Sequence, residues 1–336
     1  MRTQPVEASK APHPQPEPPP TRDLLSAHDL APHEIHALFN LTAMLKLRPA
    51  EFRGALAGKQ MVMFFEKPSL RTRLTFEAGM DSLGGSTFFV DQTRSRLDAR
   101  ESLSDIAHNL ERWIDIIVLR TFGHATVEDM AAHADIPVIN ALSDLEHPCQ
   151  ALADLFTLQE HFGDLSKVRL AYVGDGNNVA HSLLLLGAAL GSSVSVATPA
   201  GHAPSPAIIE VAETMAEQTG AAINVFMDPR EAVAGADAVY TDVWASMGQE
   251  NEADARSALF APYQVNAELM QDAAPHALFM HCLPAHRGWE VTDEVIDSAH
   301  SVVFDQAENR LHIQKAILMW LLGGGVGRLP VRSAHA

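Results

Sequence analysis

Two arginines and two hydroxyl side chains follow an apolar run in the segment FFEKPSLRTR, residues 64–73. Pro68 disfavours helical conformation at the residue before it, and Ser69 is a suitable helix cap. A helix is therefore predicted to begin here, with Arg71 and Thr72 in its first turn. Free N–H groups at a helix N-terminus, hydroxyl donors and a guanidinium group match a phosphate ligand. Taken alone, the motif fits a capped helix with solvated arginines equally well.

A histidine and a glutamine stand at the predicted start of another helix, in the segment SDLEHPCQ. Pro148 suits the first helical position, so His147 is predicted to lie at the helix N-terminus. There His147 could donate a hydrogen bond to a carbonyl oxygen, and Gln150 could hold an amide group. An isolated histidine at a helix start is more often a cap or a surface residue.

Two further motifs are ambiguous. GDGNN, residues 174–178, follows an apolar run, but it lacks the third glycine of a dinucleotide fingerprint. No acidic residue ends the next strand to bind a ribose, so we expect no nicotinamide or other cofactor. HCLP places Cys282 at a strand end, where a thiol is nucleophilic if its pKa is lowered, although a small buried apolar residue is the commoner case. No H-E-x-x-H or paired-cysteine spacing predicts a metal.

Short apolar runs alternate with helical patterns along the whole chain. The runs that predict strands are 60–65, 86–91, 115–121, 136–140, 168–175, 193–199, 223–228, 238–244, 277–284 and 301–306. The segments that predict helices include 31–46, 71–83, 102–112, 148–161, 179–190, 206–218 and 308–322. This alternation predicts an α/β fold with two central parallel sheets flanked by helices, and 148–161 is the candidate bridge between them.

The polar motifs nearly all follow predicted strands. Ligands of open parallel sheets bind beyond the carboxyl ends of the strands, because loops and helix N-termini converge there. We therefore expect the clusters at 66–73, 143–150, 174–178, 241–250 and 281–288 to lie near one another.

Bulk properties limit the class of protein. The 336 residues exceed what one core usually supports, and a formal charge of −18 argues against a nucleic-acid partner held by general electrostatics. No apolar run reaches the roughly 20 residues needed to cross a bilayer, so no membrane span is expected. Only Cys149 and Cys282 occur, which suits a reducing cytoplasm. Residues 1–21 are proline-rich, lack the apolar core of a secretory signal and predict an extended tail.

Seven motifs in order resemble the aspartate/ornithine carbamoyltransferase family over most of the chain. They are FEKPSLRTR, RTF, HPCQALADLFTLQEHFG, GDGNN, DVWASMGQE, HCLPAHRGWEVTDEVID and VFDQAENRLHIQKA. The S-M-G segment after D-V-W points to the members of this family that use ornithine rather than aspartate.

The resemblance implies a fold and an assembly. It predicts a carbamoyl-phosphate-binding domain at 22–155, an ornithine-binding domain at 156–306, and a C-terminal helix at 307–336 that returns to the first domain. It also implies a homotrimer or a multiple of trimers, with sites at the interfaces between subunits.

The resemblance also implies the residues of the site. Carbamoyl phosphate would contact Ser69, Leu70, Arg71, Thr72, Arg120, His147, Gln150, Cys282, Leu283 and Arg310. Ornithine would contact Asn178, Asp242, Ser246 and Met247. Arg71, Arg120, His147, Asp242 and Cys282 are expected to act in catalysis. Cys282 could polarise the incoming amine or only bind it, and no covalent intermediate on it is expected.

Two positions depart from the family pattern, and one arginine is left over. Leu70 replaces a threonine, which removes a hydroxyl but keeps a backbone N–H. Arg96 stands where the family usually has glutamine in a loop that contacts the neighbouring subunit, which leaves that contact open. We expect Arg73 to be structural and to brace the loop through a buried carboxylate.

Two alternatives to ornithine transfer stay open at this point. The amine could instead be putrescine or an acylated ornithine, although the S-M-G segment favours a free α-amino acid. The chain could also be a catalytically silent relative that keeps the fold, but its intact arginines and HCLP motif argue against that.

Overall fold

The N-terminal half of the chain forms a four-stranded parallel sheet among the residues described. The computed structural model describes residues 23–93, 97–245 and 253–323, so the predicted tail lies outside it. The strands are β1 (Gln60–Phe65), β2 (Ser86–Asp91), β3 (Ile116–Arg120) and β4 (Val138–Leu142). Their spatial order is β2-β1-β3-β4, and all neighbours are parallel.

The second half forms a five-stranded parallel sheet within the described ranges. Its strands are β5 (Arg169–Val173), β6 (Ser193–Ala197), β7 (Ile223–Phe226), β8 (Ala238–Thr241) and β9 (Leu278–His281). Their order is β7-β6-β5-β8-β9. Both sheets therefore contain a point where the chain order reverses, between β1 and β3 and between β5 and β8. A crevice opens at such a point beyond the strand ends, which is where ligands bind in sheets of this kind.

Helices cover the sheets. They are α1 (Pro32–Leu47), α2 (Leu70–Ser82), α3 (Leu103–Leu110), α4 (His124–His133), α5 (Pro148–Phe162), α6 (Asn178–Leu190), α7 (Pro206–Thr219), α8 (Pro229–Val233), α9 (Ala253–Phe260), α10 (Ala267–Met270), α11 (Asp293–Ile296) and α12 (Val303–Leu322). The observed helices α1, α2, α5, α6 and α7 each begin within one residue of the predicted start.

The helix α5 lies between the two sheets. It packs against β4 on one side and α6 on the other, and its residues 148–158 are all buried. A helix that is apolar on all faces is expected in the interior of a large core. The sequence 148–161 was the predicted bridge, and the helix does contact both halves.

The last helix, α12, returns to the first sheet's side of the molecule, as the resemblance implied. It packs on α1, α2 and α5. Gly79 favours the close approach to α2, because a Cβ there would lie 3.2 Å from Cγ of Lys315, and that side chain would have to shift by a few tenths of an ångström. The buried residues Ile313, Ala316 and Ile317 anchor α12 in the core that also contains Phe39 of α1.

The predicted strand at 301–306 is wrong. Ser301 makes only an isolated bridge to Phe279, and α12 begins at Val303. The run Ser-Val-Val-Phe is apolar and β-branched, which predicts a strand, but it is too short to decide between a strand and the first turn of a buried helix. In the folded protein Val303 is buried as the first residue of α12.

No helix within the described ranges is both long enough and apolar enough to span a bilayer.

Candidate active site

A cavity of about 350 Å³ lies beyond the carboxyl ends of both sheets. Twelve of the fourteen predicted contact residues line it. They are Ser69, Leu70, Arg71, Thr72, Arg120, His147, Gln150, Asn178, Asp242, Cys282, Leu283 and Arg310. The other two, Ser246 and Met247, lie outside the described residues, as does Arg96. The elements that contribute are the ends of β1, β3, β4, β8 and β9, the starts of α2, α5 and α6, and Arg310 of α12.

The N-terminus of α2 presents an anion site. Ser69 caps the helix in extended conformation, and its Oγ accepts the N–H of Thr72 at 3.3 Å. The N–H groups of Leu70 and Arg71 precede the first intrahelical hydrogen bond, so they remain available to a ligand. Negative charge is stabilised at this end of a helix. Because Leu70 can act through its backbone, the missing hydroxyl at this position does not remove the anion site.

Three arginines concentrate positive charge beside this helix end. Arg120 and Arg310 are almost completely buried, and Nη2 of Arg310 donates to Oγ1 of Thr72 at 2.7 Å. Burial, followed by the positive charge of Arg310, lowers the pKa of Arg120 to about 9. Burial is also the largest cause that lowers the pKa of Arg71 and of Arg310. The charged forms are destabilised by desolvation and mutual repulsion, and a bound dianion would relieve both.

Four buried polar atoms of this cluster have no hydrogen-bond partner among the described residues. They are Nε of Arg120, Nδ1 of His147, Oε1 of Gln150 and Nε of Arg310. Buried polar groups are almost always paired, because an unmet donor or acceptor costs about 1–3 kcal/mol. The four side chains line one cavity, so a polar ligand bound there would supply partners for them.

His147 lies at the N-terminus of α5, ahead of Pro148. Its backbone N–H donates to Oγ of Ser182 on α6 at 2.9 Å, and Ser182 in turn donates to the buried carboxyl of Glu146 at 3.0 Å. Burial, with the charges of Arg310 and Arg120, lowers the pKa of His147 well below its ordinary value of 6.5. The imidazole is therefore neutral at pH 7, and it can donate one hydrogen bond without adding charge to the arginine cluster.

The opposite wall carries a carboxylate and a thiol that bond to each other. Sγ of Cys282 donates to Oδ1 of Asp242 at 3.0 Å, and Nδ2 of Asn177 donates to Oδ2 at 2.8 Å. Burial, and then the charge of Asp242, raise the pKa of Cys282 well above its ordinary value of 9. The lowered thiol pKa that nucleophilic catalysis would need is therefore absent, and Cys282 is a protonated hydrogen-bond donor.

Asn178 joins the two walls. It is the first residue of α6, and its Nδ2 donates to the backbone oxygen of Ser143, after β4, at 2.6 Å. The amide nitrogen is thus used by the protein, and Oδ1 is the atom left to face a ligand. Its neighbour Asn177, which caps α6 and holds Asp242, was not among the predicted site residues.

The loop after β9 is shaped by a buried histidine. Nδ1 of His281 accepts the N–H of Leu283 at 2.8 Å, so Nε2 carries the proton and faces Oε1 of Glu290 at 3.2 Å. Leu283 has a positive φ of 58°, and its peptide bond to Pro284 is cis. Because its own N–H is bound to His281, the backbone nitrogen of Leu283 is not available to a ligand.

One group of side chains resembles a metal site. Single ligand-type atoms of Asp242, His281 and Cys282 lie within 4.8 Å of one another. Both ring nitrogens of His281 are already engaged, by Leu283 and Glu290. The thiol is protonated, whereas a metal requires a thiolate. In this arrangement the three residues do not fit a metal ion.

The predicted buried partner of Arg73 is wrong. Its Nε pairs with Glu77, one turn along α2, at 2.9 Å, and both side chains are partly exposed. Its guanidinium group also lies over the ring of Phe89, 3.8 Å from the centroid. Its carboxylate partner among the residues that the structure describes is thus partly exposed rather than buried. The (i, i+4) spacing of Arg73 and Glu77 was readable from the sequence.

A buried polar layer behind the cavity was missed by the sequence reasoning. It contains Asp154, Tyr240 and Gln306, all inaccessible to solvent. A signal existed, since Asp154 stands four residues after Gln150 on the apolar helix α5, where an acidic residue needs a partner.

Comparisons with known proteins agree with this geometry. A family model described as the carbamoyl-P binding domain of aspartate/ornithine carbamoyltransferase matches residues 22–160, and the model of the Asp/Orn binding domain matches 166–321. An ornithine carbamoyltransferase of Pyrococcus abyssi is 50% identical over 305 residues, which are 90% of this chain and 96% of that protein. A Pyrococcus furiosus relative named "Ornithine carbamoyltransferase, anabolic" is 49% identical, over 90% and 97% of the two chains. The solved structure of an ornithine carbamoyltransferase from Pyrococcus furiosus superimposes on this chain with a TM-score of 0.88. The match covers 90% of this chain and 98% of the other.

Proposed function

The chain belongs to the aspartate/ornithine carbamoyltransferase family, and from that premise we propose that its cavity transfers the carbamoyl group of carbamoyl phosphate to the side-chain amine of L-ornithine. The products are L-citrulline and phosphate. The observation that carries this proposal is a cavity with three arginines on one wall and a carboxylate with a thiol on the other. A dianion and an amine are the two ligands that these walls match. The relative named as anabolic supports a role in arginine biosynthesis.

The two substrates are assigned to different parts of the chain, each with its own sheet. We assign residues 22–155 to carbamoyl phosphate, 156–306 to ornithine, and the segment 307–336, of which the structure describes α12 and Gly323, to the return to the first part. The boundaries of the matching family models, 22–160 and 166–321, support the first division. The last helix carries Arg310 to the carbamoyl phosphate side.

The phosphate group would bind at the start of α2. Ser69, Thr72 and the backbone N–H of Leu70 supply hydrogen bonds, and the guanidinium groups of Arg71 and Arg310 supply charge. Guanidinium forks bind phosphate oxygens with two parallel hydrogen bonds. The protein as a whole has a formal charge of −18, so attraction of the dianion depends on this local cluster.

The carbonyl oxygen of the carbamoyl group gains negative charge in the tetrahedral transition state. Arg120, neutral His147 and the hydroxyl of Thr72 are the donors assigned to it. Donors held in place before the reaction stabilise such charge without reorganisation. The unpartnered nitrogen atoms of Arg120 and His147 support this assignment. Oε1 of Gln150 would accept a hydrogen bond from the carbamoyl amino group.

The attacking amine must first lose a proton. With a lysine-like pKa of about 10.4, forming the neutral amine at pH 7 costs about 4–5 kcal/mol. The adjacent arginines reduce this cost, because they disfavour one more cation in the cavity. The amine nitrogen then bonds to the carbonyl carbon, the carbon–oxygen bond to phosphate breaks, and the departing phosphate takes the second amine proton. Protonated Cys282 would orient the amine, and no bond to its sulfur is needed.

Ornithine would be oriented by the second wall. Asp242 is assigned to the α-ammonium group and Oδ1 of Asn178 to a neighbouring polar group. Ser246 and Met247 are assigned to the rest of the amino acid by resemblance alone, since they lie outside the described residues. Correct orientation converts an encounter between two substrates into a reaction within one complex.

We also propose a homotrimer, or a multiple of trimers, in the cytoplasm. The face formed by α2 and the edge strand β2 exposes Leu70, Leu74 and Phe88, each by more than half of its surface. Apolar groups clustered beside a sheet edge are typical of an interface between protein chains. Both cysteines are free, which suits a reducing compartment.

Purified protein with carbamoyl phosphate and a panel of amines tests the reaction. The panel contains L-ornithine, N-acetylornithine, putrescine and L-aspartate, and phosphate release is measured together with the ureido product. We expect turnover with L-ornithine only. Preference for another amine would overturn the assignment of the substrate, and no turnover with any amine would overturn the assignment of the reaction.

A pair of arginine variants tests the site. Arg71→Ala removes a cation at the start of α2, and turnover should fall about 10³-fold or more, since a charge-assisted contact that strengthens in the transition state is lost. Arg48→Ala is the matched control, because that arginine is exposed and only distantly paired with Glu51. Near-normal turnover of Arg71→Ala would mean that the phosphate is held elsewhere.

Light scattering tests the assembly. Phe88→Lys should lower the molecular mass in solution, whereas Phe304→Lys, which alters a still more exposed phenylalanine at the start of α12, should leave the mass unchanged. A monomeric wild-type protein would exclude the trimer.

A further inference from the structure

A buried carboxylate lies behind the cavity, and it does not itself line the cavity. Asp154 on α5 is completely buried and accepts three hydrogen bonds. Oδ1 accepts from Nε2 of Gln150 at 2.7 Å and from Nε2 of Gln306 at 2.9 Å, and Oδ2 accepts from the hydroxyl of Tyr240 at 3.0 Å. An ionised carboxylate can only accept hydrogen bonds, so all three neighbours must turn their donors toward it.

This arrangement determines which end of the Gln150 amide faces the cavity. The two ends of a carboxamide are nearly the same in shape but opposite in hydrogen bonding. Because Nε2 is bound to Asp154, Oε1 is the atom that faces forward, and it has no partner among the described residues. At this position the Gln150 amide therefore presents an acceptor and not a donor.

We propose that Asp154 is a positioning residue that fixes the Gln150 amide with its oxygen toward the substrate, and so makes the cavity select a carbamoyl group over an acyl group of the same shape. A carbamoyl group carries an amino donor where an acetyl group carries a methyl group. With acetyl phosphate bound, Oε1 of Gln150 would stay buried and unpaired, and such a mismatch is strongly disfavoured. This inference rests on the proposed function, since it needs carbamoyl phosphate in the cavity.

The other two donors show why Asp154 holds its own position. Oε1 of Gln306 accepts the backbone N–H of His281 at 2.9 Å, so Gln306 cannot rotate its amide without losing that bond. Tyr240 is part of β8 and is completely buried. The carboxylate is thus fixed by α12 and the second sheet, and the orientation of Gln150 follows from it.

The test is a ratio of affinities rather than an activity. For each variant, the KM for carbamoyl phosphate is compared with the inhibition constant of acetyl phosphate as its competitor. Asp154→Leu keeps a similar volume but offers no acceptor, so the Gln150 amide can turn. The preference for carbamoyl over acetyl phosphate should then fall about tenfold. A purely structural loss would weaken both ligands equally and leave the ratio unchanged, which would overturn the proposal.

Two variants of the same network serve as controls. Asp154→Asn keeps one oxygen for Gln150 and Gln306, while its amino group can donate to the hydroxyl of Tyr240, so the ratio should stay within about threefold of wild type. Tyr240→Phe removes a hydrogen bond from the same carboxylate without affecting Gln150, and the ratio should again be preserved. A collapse of the ratio in Tyr240→Phe would show that general loosening, not amide orientation, sets the preference.

A double-substitution cycle identifies Gln150 as the route. Gln150→Ala should abolish the preference, and adding Asp154→Leu should then change the ratio no further. An additional loss in the double variant would overturn the proposal. An unchanged ratio in Gln150→Ala alone would instead show that the assignment of Gln150 to the carbamoyl amino group is wrong, and the absence of turnover in wild type would contradict the proposed function itself. Should Asp154→Leu fail to fold, Asp154→Ala, which admits water behind Gln150, gives the same prediction.

Discussion

The two walls of the cavity differ in how their polar atoms are satisfied. On the wall built by the first sheet and α12, buried atoms of Arg120, His147 and Gln150 have no partner among the described residues. On the wall built by the second sheet, Asp242 already accepts hydrogen bonds from Cys282 and Asn177.

This difference teaches which wall depends on a ligand to be complete. The first wall concentrates cations that destabilise one another, and a dianion would supply both the missing charge and the missing hydrogen bonds. The carboxylate of the second wall is already hydrogen-bonded without a ligand, so an incoming amine must exchange existing hydrogen bonds for new ones. Substitutions on the first wall should therefore reduce turnover far more than substitutions on the second.

The largest effect is expected at Arg120. Arg120→Ala removes a charge and a donor assigned to the developing oxyanion, so kcat/KM should fall about 10³–10⁴-fold. Steady-state kinetics with L-ornithine and carbamoyl phosphate measure it. A loss of kcat/KM below tenfold would contradict the expected difference between the two walls. A circular dichroism spectrum that matches wild type would exclude unfolding as the cause of a large loss.

An intermediate effect concerns the carboxylate behind the first wall. Burial raises the pKa of Asp154 from 3.8 to about 6. Because the folded state binds this proton more tightly, its stabilising contribution is present below about pH 4 and is lost as the pH rises through about 6. The free energy of unfolding of wild type, relative to Asp154→Asn, should fall by about 3 kcal/mol between these limits.

Denaturant unfolding at a series of pH values measures this difference. Subtraction of the Asp154→Asn values cancels other groups, such as Asp23, whose pKa is also raised to about 6. A difference that does not change with pH would show that Asp154 titrates normally and is not desolvated.

The smallest effect is expected at Cys282 on the second wall. Cys282→Ser keeps a donor for Asp242, so turnover should fall by about tenfold or less. Cys149→Ala is the control, because it removes the other free thiol, which lies in the core and has a hydrogen bond of 3.6 Å to the oxygen of Asn140. Labelled carbamoyl group found on Cys282 in quenched single-turnover samples would contradict the direct attack and reverse the comparison.

The sheets and the convergence of the motifs could be predicted from the sequence. The partners of individual side chains could not. Alternation of apolar runs with helical patterns predicted nine of the described strands, and the rule for parallel sheets brought Arg71, Arg120 and Asp242 to one cavity. The same reasoning misassigned Ser301 to a strand and Arg73 to a buried carboxylate. The conformation of a short apolar run and the partner of a charged side chain both depend on packing between distant segments. The spacing of residues along the chain does not record that packing.

The last helix has a consequence for the order in which the protein is made. The four strands of the first sheet end at Leu142, yet Arg310, which completes the cations around them, is contributed by α12 near the end of the chain. During synthesis the N-terminal part of a protein folds first. A nascent or truncated chain that lacks α12 would form the first sheet with only two of the three arginines in place. Such a chain would lack one of the three cations that are assigned here to carbamoyl phosphate.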